Sequence, residues 1–308
     1  MSELRKVRPS LLERAAEVYD FDAHLRARNA PIEPIEAPSV AVAMPDDSVD
    51  RAASPYLAQP AVPATMLQID RKLLAEQGLL VPGAPADALV EEFRQVKRQL
   101  MITARTIRLQ DADKARTILV CSANADEGKT YCAVNLAISL AAERDTQVLL
   151  VDADVAKPDV MRWLGGSDGP GLLDALADPA IDVENCVVGT DIPQLSLLPA
   201  GTKSNTDTEL LASDRTHRLI GKLLAADPTR IVIFDSPPAL AASPASVVAG
   251  EIGQVILVVR ADKTGESDLR DAVTQLDGCE HIQLVLNAVS YAPGGRRFGS
   301  YYGQDDAT

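Results

Sequence analysis

No stretch of this 308-residue sequence approaches the run of about 18 apolar residues that crosses a bilayer. The opening, Met1 to Pro9, also lacks the apolar stretch of a secretion signal, so the chain is expected in the cytoplasm. Cysteine is scarce, and Cys121, Cys132, Cys186 and Cys279 show no CxxC or other metal-ligand spacing. That excludes a disulfide framework and a structural zinc site, leaving reduced thiols as the expectation. Cations are outnumbered, 30 Lys and Arg against 44 Asp and Glu, for a formal charge of −14. Such a field repels phosphate backbones, so no nucleic acid partner is expected. Aromatics are only 4% of the chain, and the single tryptophan, Trp163, reads as a packing anchor. The three histidines, His24, His217 and His281, are scattered and fit no nucleophile or metal arrangement.

What is present is enough apolar residue, 46%, for a sizeable core, distributed unevenly. Seven of the 20 prolines fall within residues 30–66, a segment too poor in apolar runs to offset the entropy of ordering. It reads as a tether. Before it, Ser10-Leu11-Leu12-Glu13 forms a capping box, and Leu11, Ala15, Val18, Phe21 and Leu25 follow at helical spacing. The organisation is therefore a short amphipathic helix within residues 1–29, a linker over 30–66, a globular domain over 67–290 and a tail over 291–308. Helices are expected over 67–80 and from Pro85 to Ile107, the second opening on a proline suited to a first turn. That helix carries Glu91, Arg94 and Lys97 at i, i+3 and i+6, a spacing usual for a solvated face.

After Lys114 the pattern changes to short apolar runs, Thr117–Ser122, Gln147–Asp152, Leu195–Leu198, Arg230–Asp235, Gln254–Arg260 and Gln283–Asn287. Apolar residues at consecutive rather than alternate positions suit strands of a parallel sheet covered on both faces. Lys129–Glu143, Thr208–Ala226 and Glu266–Leu276 supply the covering helices. The fold class expected is α/β, a doubly wound domain whose mostly parallel sheet is flanked by helices. Ligands of such sheets bind at the carboxyl ends of the strands.

Three strands end in residues that carry chemistry. Ala123-Asn124-Ala125-Asp126-Glu127-Gly128-Lys129-Thr130 follows one strand and opens a helix, as a phosphate loop must. Its amides would attract phosphate oxygens, Lys129 would reach the β and γ phosphates, and Thr130 would offer a hydroxyl to Mg²⁺. Asp152 and Asp154 lie two residues apart at a second strand end, on one side of an extended chain. Asp235, followed by Ser236-Pro237-Pro238, lies at a third. Beside a phosphate loop these carboxylates suit Mg²⁺ coordination, because hard cations want oxygen ligands.

The combination resembles the bacterial tyrosine kinases of exopolysaccharide synthesis. It rests on the phosphate loop, Asp152-Ala153-Asp154 with Lys157-Pro158, and Phe234-Asp235-Ser236-Pro237-Pro238. It extends to Glu91-x-x-Arg94-x-x-Lys97, Leu198-Pro199-Ala200-Gly201, Glu209-Leu210-Leu211 and Leu284-Val285-Leu286-Asn287. The opening helix is similar to that of the branch associated with exosortase-type loci. The resemblance implies an ATP- and Mg²⁺-dependent protein-tyrosine autokinase. Ala125, Asp126, Glu127, Gly128, Lys129, Thr130, Tyr131 and Asn287 would bind ATP, with Asn287 at the adenine. Thr130, Asp152 and Asp235 would hold the metal, and Lys129, Asp152, Asp154 and Asp235 would be catalytic. Glu91, Arg94 and Lys97 would pack on a neighbouring subunit in a ring. A membrane-embedded chain-length regulator would recruit the chain peripherally to the inner face of the membrane. Ala125-Asp126 stands where the family commonly has Pro-Gly, and Lys97 where it usually has arginine.

The tail carries three of the six tyrosines, Tyr291, Tyr301 and Tyr302. These are the expected autophosphorylation sites, each modification adding roughly −1.5 to −2 charges. Two alternatives stand beside this reading. One is a positioning or partitioning ATPase without kinase activity, which normally has a lysine at the position of Asn124. The other is a nucleotide-binding scaffold.

Overall fold

In a computed structural model, residues 66–241 and 244–290 are described; residues 1–65, 242–243 and 291–308 are not. The chain divides into two units, Met1–Tyr56 and Leu57–Thr308. The first unit, and with it the expected opening helix, lies outside the described residues, as do the linker up to residue 65 and the tail tyrosines.

The described part runs β1 (Met66–Leu67), α1 (Arg71–Glu76), α2 (Ala88–Ile107), β2 (Thr117–Ser122), α3 (Lys129–Ala141), β3 (Gln147–Asp152), α4 (Val160–Trp163) and α5 (Leu172–Ala177). It continues β4 (Val188–Thr190), β5 (Leu195–Leu198), α6 (Asp207–Leu211), α7 (Asp214–Ala226), β6 (Arg230–Asp235), α8 (Pro244–Glu251), β7 (Gln254–Arg260), α9 (Glu266–Gln275) and β8 (Ile282–Asn287). The eight strands form one sheet in the order β1-β4-β5-β3-β6-β2-β7-β8. All neighbours are parallel except β4 and β5.

The consecutive apolar runs do what their pattern requires. Successive side chains of a strand point to opposite faces, so both faces must be covered. Leu119, Leu149, Val151, Val232, Phe234 and Leu257 enter one core layer with α5, α7 and α8, while Ile118, Val120, Leu150, Ile233 and Val258 enter the other with α1 and α3. All four cysteines are buried and free. Burial pushes the Cys121 thiol up to about 11 and the Cys132 thiol up to about 12, which leaves neither a nucleophile near neutrality.

Several boundaries differ from those expected. The helix expected from Pro85 starts at Ala88, because Asp87 is its N-cap and accepts from Val90 N at 2.9 Å. The strand β1 takes Met66, the last residue of the expected linker, and Leu67, and the helix expected over 67–80 shrinks to α1, whose start Asp70 caps through the amides of Lys72 and Leu73. The expected helix Thr208–Ala226 is two helices. Ser213 divides them, accepting from Arg215 N at 3.3 Å as the cap of α7 and donating to Leu210 O at 2.6 Å.

Candidate active site

Parallel pairing places the reactive residues. Asp152 and Asp235 are register partners across β3 and β6, so the two carboxylates end their strands side by side. Central β2 pairs with β6 on one side and β7 on the other and leads into the phosphate loop. The loop turns through two left-handed residues, Asp126 at φ 60° and Gly128 at φ 96°. Asp126 takes the conformation that glycine adopts most easily, and an aspartate is among the few other residues that tolerate it. Its carbonyl accepts from the Arg260 guanidinium at 2.7 Å, and its carboxylate lies 3.6 Å from Lys157 Nζ. Gly128 is required on two counts, since a side chain there would also strike the Asn287 amide.

At the head of α3, Lys129 Nζ pairs with Asp154 Oδ2 at 2.6 Å, both side chains nearly buried. Burial alone would push the ammonium down, but Asp235, Asp154 and Asp152 outweigh it and hold Lys129 above the ordinary lysine range. Thr130 Oγ1 donates to Asp235 Oδ2 at 2.6 Å, and Val160 N donates to Asp152 Oδ2 at 3.0 Å. The second oxygen of each carboxylate, Asp152 Oδ1 and Asp235 Oδ1, is buried without a hydrogen-bond partner. Burial pushes Asp152 up to about 8, with the Asp235 charge adding to it. Burial likewise raises Asp235 to about 7 against the pull of Lys129 and Thr130.

Two unsatisfied carboxylate oxygens and a hydroxyl beside a phosphate loop fit a hard divalent cation. No three His, Cys, Asp or Glu side chains converge as a self-sufficient metal site among the described residues. That suits Mg²⁺, which is usually held by one or two carboxylates together with phosphate oxygens and water.

The sequence did not reveal what braces the loop. Glu127, 1% exposed, accepts from Asn124 N at 3.0 Å and from Thr264 Oγ1 at 2.6 Å. Thr264 Oγ1 in turn accepts from Arg260 N at 2.9 Å, and Asn287 Nδ2 donates to Glu127 O at 2.9 Å. The loop is thus tied to the ends of β7 and β8, through partners more than 130 residues away in sequence. Asn124 spends its amide on Asp268 at 2.8 Å. Tyr131 turns its hydroxyl to Gly78 O at 2.9 Å and packs edge-on against Trp163, whose expected anchoring role this contact fills. Ala125 is exposed at the loop tip.

The helix residues lie apart from this cluster. Glu91 and Arg94 pair with each other along α2. Lys97 is mostly covered, donating to Ser139 O at 3.1 Å and pairing with Glu143 at 2.6 Å. The face expected to be solvated is therefore partly committed to α3.

A model of the AAA domain family matches residues 115–274. The tyrosine-protein kinase YwqD of Bacillus subtilis is 30% identical over 242 residues, 78% of this chain and 97% of that protein. The tyrosine-protein kinase wzc of Salmonella typhi is 26% identical over 235 residues, 75% of this chain and 31% of that protein. The chain spans 29% of the length of the first curated relative it matches. The solved BceF tyrosine kinase domain superposes with a TM-score of 0.58 at 26% identity, covering 71% of this chain and 90% of that domain. The carboxylates and phosphate loop gathered at one sheet edge thus sit in an AAA-type domain, and the chain belongs to the bacterial tyrosine kinases.

Proposed function

We propose that the chain is an ATP-dependent protein-tyrosine autokinase that phosphorylates Tyr291, Tyr301 and Tyr302 of a neighbouring copy and thereby regulates exopolysaccharide synthesis and export. The observation that carries this reading is the pair of buried, unpartnered oxygens on Asp152 and Asp235 beside Lys129 and Thr130. A site that binds nucleotide needs a cation there, and the orphaned oxygens give it ligands.

Thr130, Asp152 and Asp235 would hold Mg²⁺, and the loop amides from Ala125 to Tyr131 would receive the phosphates. When bound there, the cation would supply neutralisation of phosphate charge. Asn287, held at the loop by Glu127, would border the base. Incoming phosphate oxygens compete with Asp154 for the Lys129 ammonium. Once freed, Asp154 can take the proton of the attacking phenol. The phenolic oxygen bonds to the γ phosphorus as that phosphorus loses its bridging oxygen, and ADP leaves. Positioning and charge neutralisation supply most of the acceleration in such transfers.

Among the described residues no helix is long and apolar enough to cross a membrane. From the resemblance to the bacterial tyrosine kinases we assign recruitment to a membrane-embedded chain-length regulator, with residues 1–66 as the docking segment and a ring as the working assembly. Glu91 and Arg94 would face the next subunit. The purely regulatory ATPase is the weaker reading, because Asn124, bound to Asp268, stands where those proteins normally have a lysine.

The test is phosphopeptide mapping of the wild type against Lys129→Met after incubation with Mg-ATP. Phosphate on the tail tyrosines of the wild type alone supports the reading. Steady ATP hydrolysis with unmodified tails would replace it with the regulatory ATPase.

A further inference from the structure

Among the described residues, the two-sided covering of the sheet fails along the last strand. In a doubly wound sheet each strand face is covered by the helix that crosses to the next strand, and no described helix follows β8. Its alternate residues show the result. Val285 packs into one core layer and Ile282 against the other, but Leu284 and Leu286, on the same side as Ile282, are 57% and 59% exposed. Val273 on α9 and Val289 beyond the strand are exposed as well. One edge of β8 pairs with β7 from Ile282 to Asn287, and its other edge has no strand beside it among the described residues. An apolar, unpaired parallel edge is an aggregation hazard that native chains cover or charge. Here it carries neither charge nor cover among the described residues.

We propose that the C-terminal segment of the same chain covers it, with Phe298, Tyr301 and Tyr302 resting on Leu284 and Leu286. Three observations point to this occupant. The segment begins at residue 291, four residues after β8 ends, so the encounter is intramolecular and needs little loop closure. Ala292-Pro293-Gly294-Gly295 is turn chemistry placed where the chain would reverse. Phe298, eight residues beyond Ser290, can reach at most roughly 28 Å at ~3.5 Å per residue, longer than the ~20 Å of a six-residue strand. The segment also matches the surface in kind. It concentrates aromatics, Tyr291, Phe298, Tyr301 and Tyr302, in a chain with few. Covering β8 does not require the tail to be phosphorylated. Phosphate on Tyr301 or Tyr302 would, however, place charge against leucines and release the contact.

The test compares hydrogen exchange at residues 282–287 in three full-length or truncated proteins, all carrying Lys129→Met so that no phosphate is added. These are the parent, a chain ending at residue 290, and the parent with F298S, Y301S and Y302S. Exchange in β8 should rise about tenfold in the second and third, with the other strands unchanged. The triple variant keeps the chain intact, so a truncation that misfolds does not leave the question open. Equal β8 exchange in the parent and the triple variant overturns the proposal. Protection that disappears on dilution in the parent also overturns it, since a second copy would then be the occupant. Because every protein in the comparison is unable to transfer phosphate, failure here leaves the kinase reading untouched.

Discussion

Replacing Asp152 by asparagine should stabilise the nucleotide-free protein, and increasingly so as pH rises. The carboxyl is 1% exposed and raised to about 8 by burial and by Asp235. Because the folded value lies above the ordinary carboxylate range, the folded protein keeps a proton that the unfolded chain gives up. Stability from this group is complete below about pH 4 and is lost as pH climbs toward 8. Inside that window one such group loses about 1.4 kcal/mol per pH unit. Asp152 and Asp235 titrate as a pair, so one proton is counted. From pH 5 to pH 7 the wild type should lose about 3 kcal/mol that Asp152→Asn does not. For a domain of this size that is about 5–10 °C in melting temperature. The asparagine oxygen can still accept from Val160 N, so the bond at the head of α4 survives. The assay is thermal unfolding of both proteins at pH 5, 6 and 7 in chelator. A melting difference that stays within about 2 °C across that range, or shrinks, would refute the reasoning.

Other perturbations have equally direct readouts. Thr264→Val removes the donor to buried Glu127 and the acceptor of Arg260 N. It should cost about 1–3 kcal/mol in unfolding experiments and weaken ATP binding by about tenfold in titration calorimetry. Unchanged affinity would show that the brace does not shape the loop. Gly253→Ala would drive a methyl into the Lys114 carbonyl at the foot of β7. A loss of about 1–3 kcal/mol in denaturant unfolding is expected, with ATP binding retained because the clash lies at the opposite end of the sheet. Arg230→Ala breaks the two-pronged pair with Glu184, 2.5 and 3.0 Å, and should lower the melting temperature without changing phosphate transfer.

The central sheet was legible because burial on both faces leaves a mark in the residues themselves. Five of the six expected strands match residue for residue, and the sixth starts one residue earlier at Ile282. The strands that escaped notice, β1 and β4, are two and three residues long, too short to show any period. The helix α8 escaped because Pro-Ala-Ser-Val-Val-Ala-Gly has no polar face to contrast with an apolar one. Chain order and strand ends were enough to bring Lys129, Thr130, Asp152, Asp154 and Asp235 together. What they could not convey was the division of labour among carboxylates: Asp154 on the lysine, Asp235 on the threonine, Asp152 on the backbone. Lys97 is the instructive case. Its spacing matched a solvated face, yet its partners lie on and just beyond α3, 42 and 46 residues away, and no local pattern announces them.

The autokinase claim turns on transfer between copies, and a mixing experiment reads it directly. Lys129→Met protein with an intact tail would be incubated with Mg-ATP and a wild-type chain ending at residue 290, which has a site but no tail tyrosines. Phosphate on Tyr291, Tyr301 or Tyr302 of the Lys129→Met chain, absent when the truncated partner is left out, is the predicted result. Tails that stay unmodified while full-length wild type phosphorylates its own in a concentration-independent manner would contradict it.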